Sequence, residues 1–201
     1  MLFDLFPCLD EISSEYVPLW GEEDAPWNIF SQDLGGLKSQ INEIVGGADG
    51  VFIHPTASIG EFVTIEGPCF IGPNAEIRHS AFLRGGSWIC AGALVGNSTE
   101  VKNSVLLPEA KAPHFNYIGD SILGYNVNLG AGTKLSNVRN DRKDIFVTVK
   151  DGTRVNTGLR KLGAIIGDGG QLGCNVVTNP GCIISPGKMI NPNEAVSGYI
   201  C

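Results

Sequence analysis

The 201-residue sequence has no unbroken run of eighteen apolar residues, no CxxC pair and only three histidines. Each shortage removes a class of protein. Without a long apolar run there is no helix to cross a bilayer. The six cysteines, Cys8, Cys69, Cys90, Cys174, Cys182 and Cys201, follow neither zinc-ligand nor disulfide-framework spacing. Reduced, mostly buried thiols and no bound metal are therefore expected. Basic residues are also few, 14 Lys and Arg against 21 Asp and Glu, for a formal charge of -7. That balance argues against a nucleic-acid partner while leaving room for a local anion site. The opening MLFDLFPCLDEISSEY lacks the basic stretch of a secretory signal, so a cytoplasmic protein is expected.

What is abundant is glycine, 27 residues, in a chain that is still 43% hydrophobic and only 17% charged. Such a composition is not that of a disordered segment. It suits many short strands joined by tight corners. From residue 53 an aliphatic recurs every sixth position: Ile53, Ile59, Ile65, Ile71, Ile77, Leu83, Ile89, Val95, Val101 and Leu107. A second, mostly small set follows four positions later, from Ala57, Val63 and Cys69 through Ala75, Ala81, Ser87, Ala93 and Thr99 to Val105. Neither a helix nor an alternating strand has this period. One short strand plus one corner does, and three hexads close a triangular coil whose apolar face is buried only by the next coil.

The hexads predict an all-β fold, a single-stranded parallel β-helix over 51–201. The register breaks at Leu107-Pro108 and again over 137–163, which predicts excursions near 108–117 and 137–163. Residues 1–50 differ: Pro26-Trp27-Asn28-Ile29-Phe30 precedes Leu34, Leu37, Ile41, Ile44 and Val45 at helical spacing. A helix over about 32–45 is expected to cap the first coil and shield its open edge.

Several residues stand out against this scaffold. Arg84 and Lys102 are three hexads apart, so their Cα atoms should stack about 4.8 Å from each other. Such a pair is either part of a solvated charge ladder, offset by Glu66 one coil earlier, or a clamp for a phosphate. His114, in Lys111-Ala112-Pro113-His114, is either a surface residue or a general base whose ordinary pKa suits proton removal near neutrality. Gly130-Ala131-Gly132 is either tight packing or a groove where a ligand meets backbone N–H groups. His54 and His79 read as structural.

These segments carry a resemblance. Arg84-Gly85, Val95-Gly96-Asn97 through Val101-Lys102, Lys111-Ala112-Pro113-His114, Tyr117-Ile118-Gly119-Asp120, Asn128-Leu129-Gly130-Ala131-Gly132-Thr133 and Asn137 stand in the order found in one family. Together they resemble the acetyltransferase domain of the bifunctional enzymes that make UDP-N-acetylglucosamine. The stretch Gly158-Leu159-Arg160-Lys161-Leu162-Gly163 is similar to archaeal sugar-1-phosphate nucleotidylyltransferases. The resemblance covers roughly 50–195 and implies a left-handed coil, although most parallel crossovers are right-handed.

It further implies a homotrimer that acetylates an amino-sugar 1-phosphate with acetyl-CoA, in clefts between subunits. By the same resemblance His114 would be the base, and Asn137 would orient the sugar or the acetyl group. Arg84 and Lys102 would clamp the phosphate, Tyr117 and Asn128 would bind the sugar, and Lys143 would add a phosphate or cofactor contact. Ala131, with Gly132, would line the acetyl-CoA groove, and Cys174 stands where the family meets the thioester. A nucleotidylyltransferase half needs a Gly-rich, basic start that residues 1–50 lack, so sugar-nucleotide synthesis by this chain alone is not expected. The alternative is a non-catalytic β-helix trimer, a regulatory or partner subunit of a sugar-1-phosphate nucleotidylyltransferase. A β-helix zinc hydratase is disfavoured because His54, His79 and His114 fall too far apart.

Overall fold

The computed structural model describes residues 1–12, 16–21, 25–31 and 35–201. From Val51 to Ile200, strands of two to four residues alternate with corners and stack into three parallel sheets, the sides of a prism. The first side has eight strands, beginning with Val51–Ile53 and ending with Tyr199–Ile200. The second begins at Ser58–Ile59 and the third at Thr64–Ile65, with seven strands each. Each strand pairs in parallel with its equivalents in neighbouring coils, as Ile53 with Ile71 and Ile71 with Ile89.

The interior follows the hexad. Ile71, Ile77, Leu83, Ile89, Val95 and Val101 are buried together with the small residues Ala75, Ala81 and Ala93. The series departs from expectation at its end. Leu106, not Leu107, is the interior residue, and Leu107 packs on the outside of the first side. Residues 108–117 make no excursion: Lys111–His114 is a strand of the second side and Tyr117–Gly119 a strand of the third.

The apparent break is a change of coil length. Ile89 pairs with Leu106 and Leu106 with Leu123, steps of seventeen instead of eighteen. The missing residue comes from the corner between the third and first sides. There Asn103 and Asp120 adopt left-handed backbone, φ +46° and +47°. Asn and Asp tolerate that conformation because their short polar side chains bond locally. Serines complete the tightened corners. Ser104 Oγ donates to the Lys102 carbonyl at 2.8 Å and accepts the Ser121 amide at 3.0 Å. Ser121 Oγ donates to the Gly119 carbonyl at 2.8 Å and accepts the Ala164 amide at 3.0 Å. A hydroxyl that both donates and accepts satisfies backbone groups that would otherwise be buried without partners.

After Leu135 the chain does leave the coil, and the strand Ala164–Ile166 resumes it directly beside Ile122–Leu123. Between them Phe146–Thr148 and Arg154–Asn156 form an antiparallel hairpin. Ile145, Val147 and Leu162 fold back onto the outer surface of the first side.

The N-terminal helix runs Leu37–Val45, while residues 32–34, including Leu34, lie outside the described residues. It does not close the end of the prism, where Ile53 and Ile59 remain 43% and 39% exposed. Instead Leu37 and Ile41 join Leu5, Phe6, Trp27 and Phe30 against the outer surface of the first side. The cause is the composition of that side, whose outward residues Phe70, Trp88, Val105, Ile122, Ile165 and Ile183 form one apolar column. Fully covered strands read as continuous apolar runs for this reason. The rings of Phe52, Phe70 and Trp88 stack at 4.9 and 4.5 Å, and Trp88 Nε1–H donates to the Tyr16 carbonyl at 3.0 Å. Further along, Asp168 accepts the Cys8 amide through Oδ2 at 2.9 Å. The N-terminal segment is a strap along a side, not a lid on an end.

The serine corners make a direct prediction. Ser121→Ala removes the partners of the buried Gly119 carbonyl and Ala164 amide, and should destabilise the protein by about 1–3 kcal/mol. Urea unfolding should show a lower midpoint with an unchanged m-value.

Candidate active site

The shortened corners bring a polar ladder into line. Asn103, Asp120 and Asn137 hold the same position in three successive coils, two residues past Val101, Ile118 and Leu135. Asp120 is only 4% exposed and sits between the two amides. Asn103 Nδ2 donates to Oδ1 at 2.7 Å, Asn137 Nδ2 donates to Oδ2 at 2.5 Å, and Lys102 Nζ stands 3.4 Å from Oδ2. A carboxylate so enclosed requires such donors.

Tyr117 fixes the far side of the ladder, its hydroxyl donating to Asn137 Oδ1 at 3.5 Å. Burial, and then the nearby Glu100 charge, push the Tyr117 phenol above its ordinary range, so it remains a donor at neutral pH. Gly119 supplies the space. A methyl group there would lie 2.6 Å from Asn137 Nδ2 and 2.7 Å from the Tyr117 hydroxyl.

Arg84 pairs with Lys102 across adjacent strands, in the register that their spacing requires. No added anion is needed to hold them in line. Arg84 Nη1 is 2.9 Å from Glu100 Oε1, and its Nε is 3.8 Å from Glu66 Oε2. With Asp120 on Lys102, three carboxylates serve two cations. Glu66 offsets Arg84 as the charge-ladder reading expects, and Glu100 stands closer still.

The remaining expected residues fall elsewhere. His114 is exposed at the corner between the second and third sides, beside Asn97 of the preceding coil. Its carbonyl accepts the Gly132 amide at 3.0 Å, and the Ala131 carbonyl accepts the Asn175 amide at 2.8 Å. His114, Ala131 and Cys174 thus form one column in three successive coils. Among the described residues, the Ala131 and Cys174 amides have no hydrogen-bond acceptor. Cys174 is exposed, and all six cysteines are free.

Asn128 lies on the second side between Lys111 and Gln171, round the corner from Tyr117 and Lys102. Lys143 is exposed in the excursion, its amide donating to Asp141 Oδ1 at 3.2 Å. Among the described residues no hydrogen bond or ion pair joins its side chain to the ladder. His54 bonds Thr56 through Nδ1 at 2.9 Å, and the His79 ring meets Phe62 edge-on at 5.4 Å.

The sequence reading gave no role to Asn103, Glu100 or Asp120. Asn103, Asp120 and Asn137 are evenly spaced, but at seventeen, a period hidden while the coil is counted in eighteens.

Stacked hexads in a three-sided parallel coil are the architecture of the left-handed β-helix hexapeptide acyltransferases. Residues 65–193 match the GMPPB C-terminal domain, and the chain belongs to that family. It is 38% identical over 195 residues to the bifunctional sugar-1-phosphate nucleotidylyltransferase/acetyltransferase of Sulfurisphaera tokodaii, covering 91% of this chain and 47% of that protein. It is 34% identical over 199 residues to the bifunctional protein GlmU of Methanococcus aeolicus, covering 90% and 45%. The chain therefore spans about half the length of these relatives. It is also 36% identical over 197 residues to the putative uncharacterized acetyltransferase YaiX of Escherichia coli, covering 88% and 81%. Among solved structures, a hexapeptide transferase family protein from Anaplasma phagocytophilum aligns over 74% of each chain, with 20% identity and a TM-score of 0.38. No helix among the described residues is long and apolar enough to cross a membrane.

The ladder predicts a shared defect. Asn137→Ala and Gly119→Ala should each lower Tm by several degrees, the first by leaving Asp120 short of a donor, the second by displacing Asn137. If Gly119→Ala melts like the wild type, the close packing of this corner is refuted.

Proposed function

We propose that the chain is an acetyl-CoA-dependent N-acetyltransferase acting on an amino-sugar 1-phosphate. The observation that carries this reading is the corner column in which His114 stands one coil from Ala131 and two from Cys174. His114 would take the proton from the attacking amine. The free amides of Ala131 and Cys174 would receive the thioester oxygen as negative charge grows on it. The new C–N bond replaces the C–S bond, and the proton held by His114 returns to the departing CoA thiolate. Nothing in this scheme needs a metal. The Cys174 side chain is not required either, because the backbone donor survives any substitution there except proline.

The sugar would lie along the third side. Tyr117 and Asn137 offer it a hydroxyl and an amide, with Arg84, Lys102 and Lys143 as candidate phosphate contacts. Asn128, on the second side, cannot join them within one chain. A homotrimer in which the third side of one subunit faces the second side of the next would unite both sets. Such a protein works in nucleotide-sugar synthesis in the cytoplasm.

The test is release of free thiol from acetyl-CoA in the presence of glucosamine 1-phosphate or galactosamine 1-phosphate. His114→Ala should lower kcat by about 10²–10⁴-fold. Arg84→Ala and Lys102→Ala should raise KM for the sugar with a smaller change in kcat. Absence of turnover with either sugar would favour a non-catalytic partner subunit of a sugar-1-phosphate nucleotidylyltransferase. The carboxylate partners of Arg84 and Lys102 are the observation on that side.

A further inference from the structure

Beside the polar ladder lies a cleft of about 530 Å³, a size common for small-molecule sites. Lys38 of the N-terminal helix borders it, as do Lys102 and Asn103 at the corner and residues 158–161 where the excursion returns to the coil. Three stretches far apart in sequence thus deliver four cations, Lys38, Lys102, Arg160 and Lys161, to one hollow. The chain as a whole carries -7.

Among the described residues the single carboxylate in the lining is Asp120, already engaged by Lys102, Asn103 and Asn137. Among the described residues, Lys38, Arg160 and Lys161 take part in no ion pair, so no carboxylate balances them in the cleft. Converging like charges repel unless an anion enters between them. Lys38 is held near the corner, its Cε within 3.1 Å of where a side chain on Gly86 would begin. It is the second residue of a nine-residue helix whose first-turn amides Gly36 leaves without a side-chain cap. That end of a helix favours negative charge. Leu159 and Phe30 add apolar wall for the body of a ligand.

We propose that this cleft binds the phosphoryl group of a small phosphorylated ligand. An Arg fork beside two ammonium groups is the donor set that phosphate oxygens take. Lys38, Arg160 and Lys161 lie outside the residues assigned to acetyl transfer, and the proposal does not rest on that activity. Two ligands carry the required chemistry, a sugar phosphate through its monoester and CoA through its phosphates. The salt dependence of binding should be steep, because the cations are exposed.

The experiment is calorimetric titration of the full chain with inorganic pyrophosphate at low salt, then with glucosamine 1-phosphate and with CoA. Lys38→Gln, Arg160→Gln and Lys161→Gln should each weaken pyrophosphate binding by roughly tenfold, the loss of one charged hydrogen bond. Lys150→Gln, in a different hollow beside the hairpin, serves as the charge-matched control and should bind as the wild type does. Glucosamine and pantetheine identify the source: the phosphorylated partner whose binding depends on Lys38, and whose unphosphorylated form fails, is the ligand. All three substituted side chains are exposed, and circular dichroism checks that each variant folds. The proposal is overturned if none of the three phosphate compounds binds saturably at millimolar concentration. It is equally overturned if any cleft variant binds like the wild type, or if Lys150→Gln weakens binding as much as they do. Acetyl transfer can fail without altering these titrations, so the two readings stand or fall separately.

Discussion

The backbone hydrogen bonds between successive coils are the constraint on which the rest of this protein depends. Each short strand bonds its equivalents in neighbouring coils, so a residue type repeated at the coil period becomes a physical column. The core is one product of that rule, with aliphatics stacked on aliphatics through the prism. The polar features are another. Arg84 above Lys102, Asn103 above Asp120 above Asn137, and His114 above Ala131 are all columns. None of these groups could be placed so regularly on separate loops.

The two seventeen-residue coils show how a small change in that rule generates chemistry. The shortened corners carry left-handed backbone at Asn103 and Asp120, with serine hydroxyls bonded into the wall. They also set a carboxylate between two amides in a nearly buried position, which is tolerable only because every oxygen has a donor. Lys102 both pairs with this carboxylate and borders the basic cleft. Arg84, one coil away, is balanced by Glu100 and Glu66 instead.

The strap decides which surfaces remain available. Because the outward column of the first side is apolar, the N-terminal segment and the hairpin both fold onto it. The second and third sides, with the corner of His114 between them, are left uncovered by that strap. An apolar column and a polar corner on one prism thus separate a covered surface from an open one.

The hexads alone determined the parallel coil, its start near residue 51 and the alignment of Arg84 with Lys102. These follow from period, because only one arrangement buries an aliphatic at every sixth residue. The departure of the chain over 137–163 was legible for the same reason, as a charged stretch with no apolar column to fill. Residues 108–117 were misread because a shortened coil and an excursion break the count identically, and only strand pairing tells them apart. The helix was legible as a helix but not in its place, since helical spacing says which face is apolar and nothing about what covers it. What only the tertiary structure decided is which charges meet. Glu100 reaches Arg84, Asp120 holds Lys102, and Lys38 borders the same cleft as Arg160 and Lys161, because side-chain reach and the path of the strap set those neighbours, and neither has a period that a sequence can display.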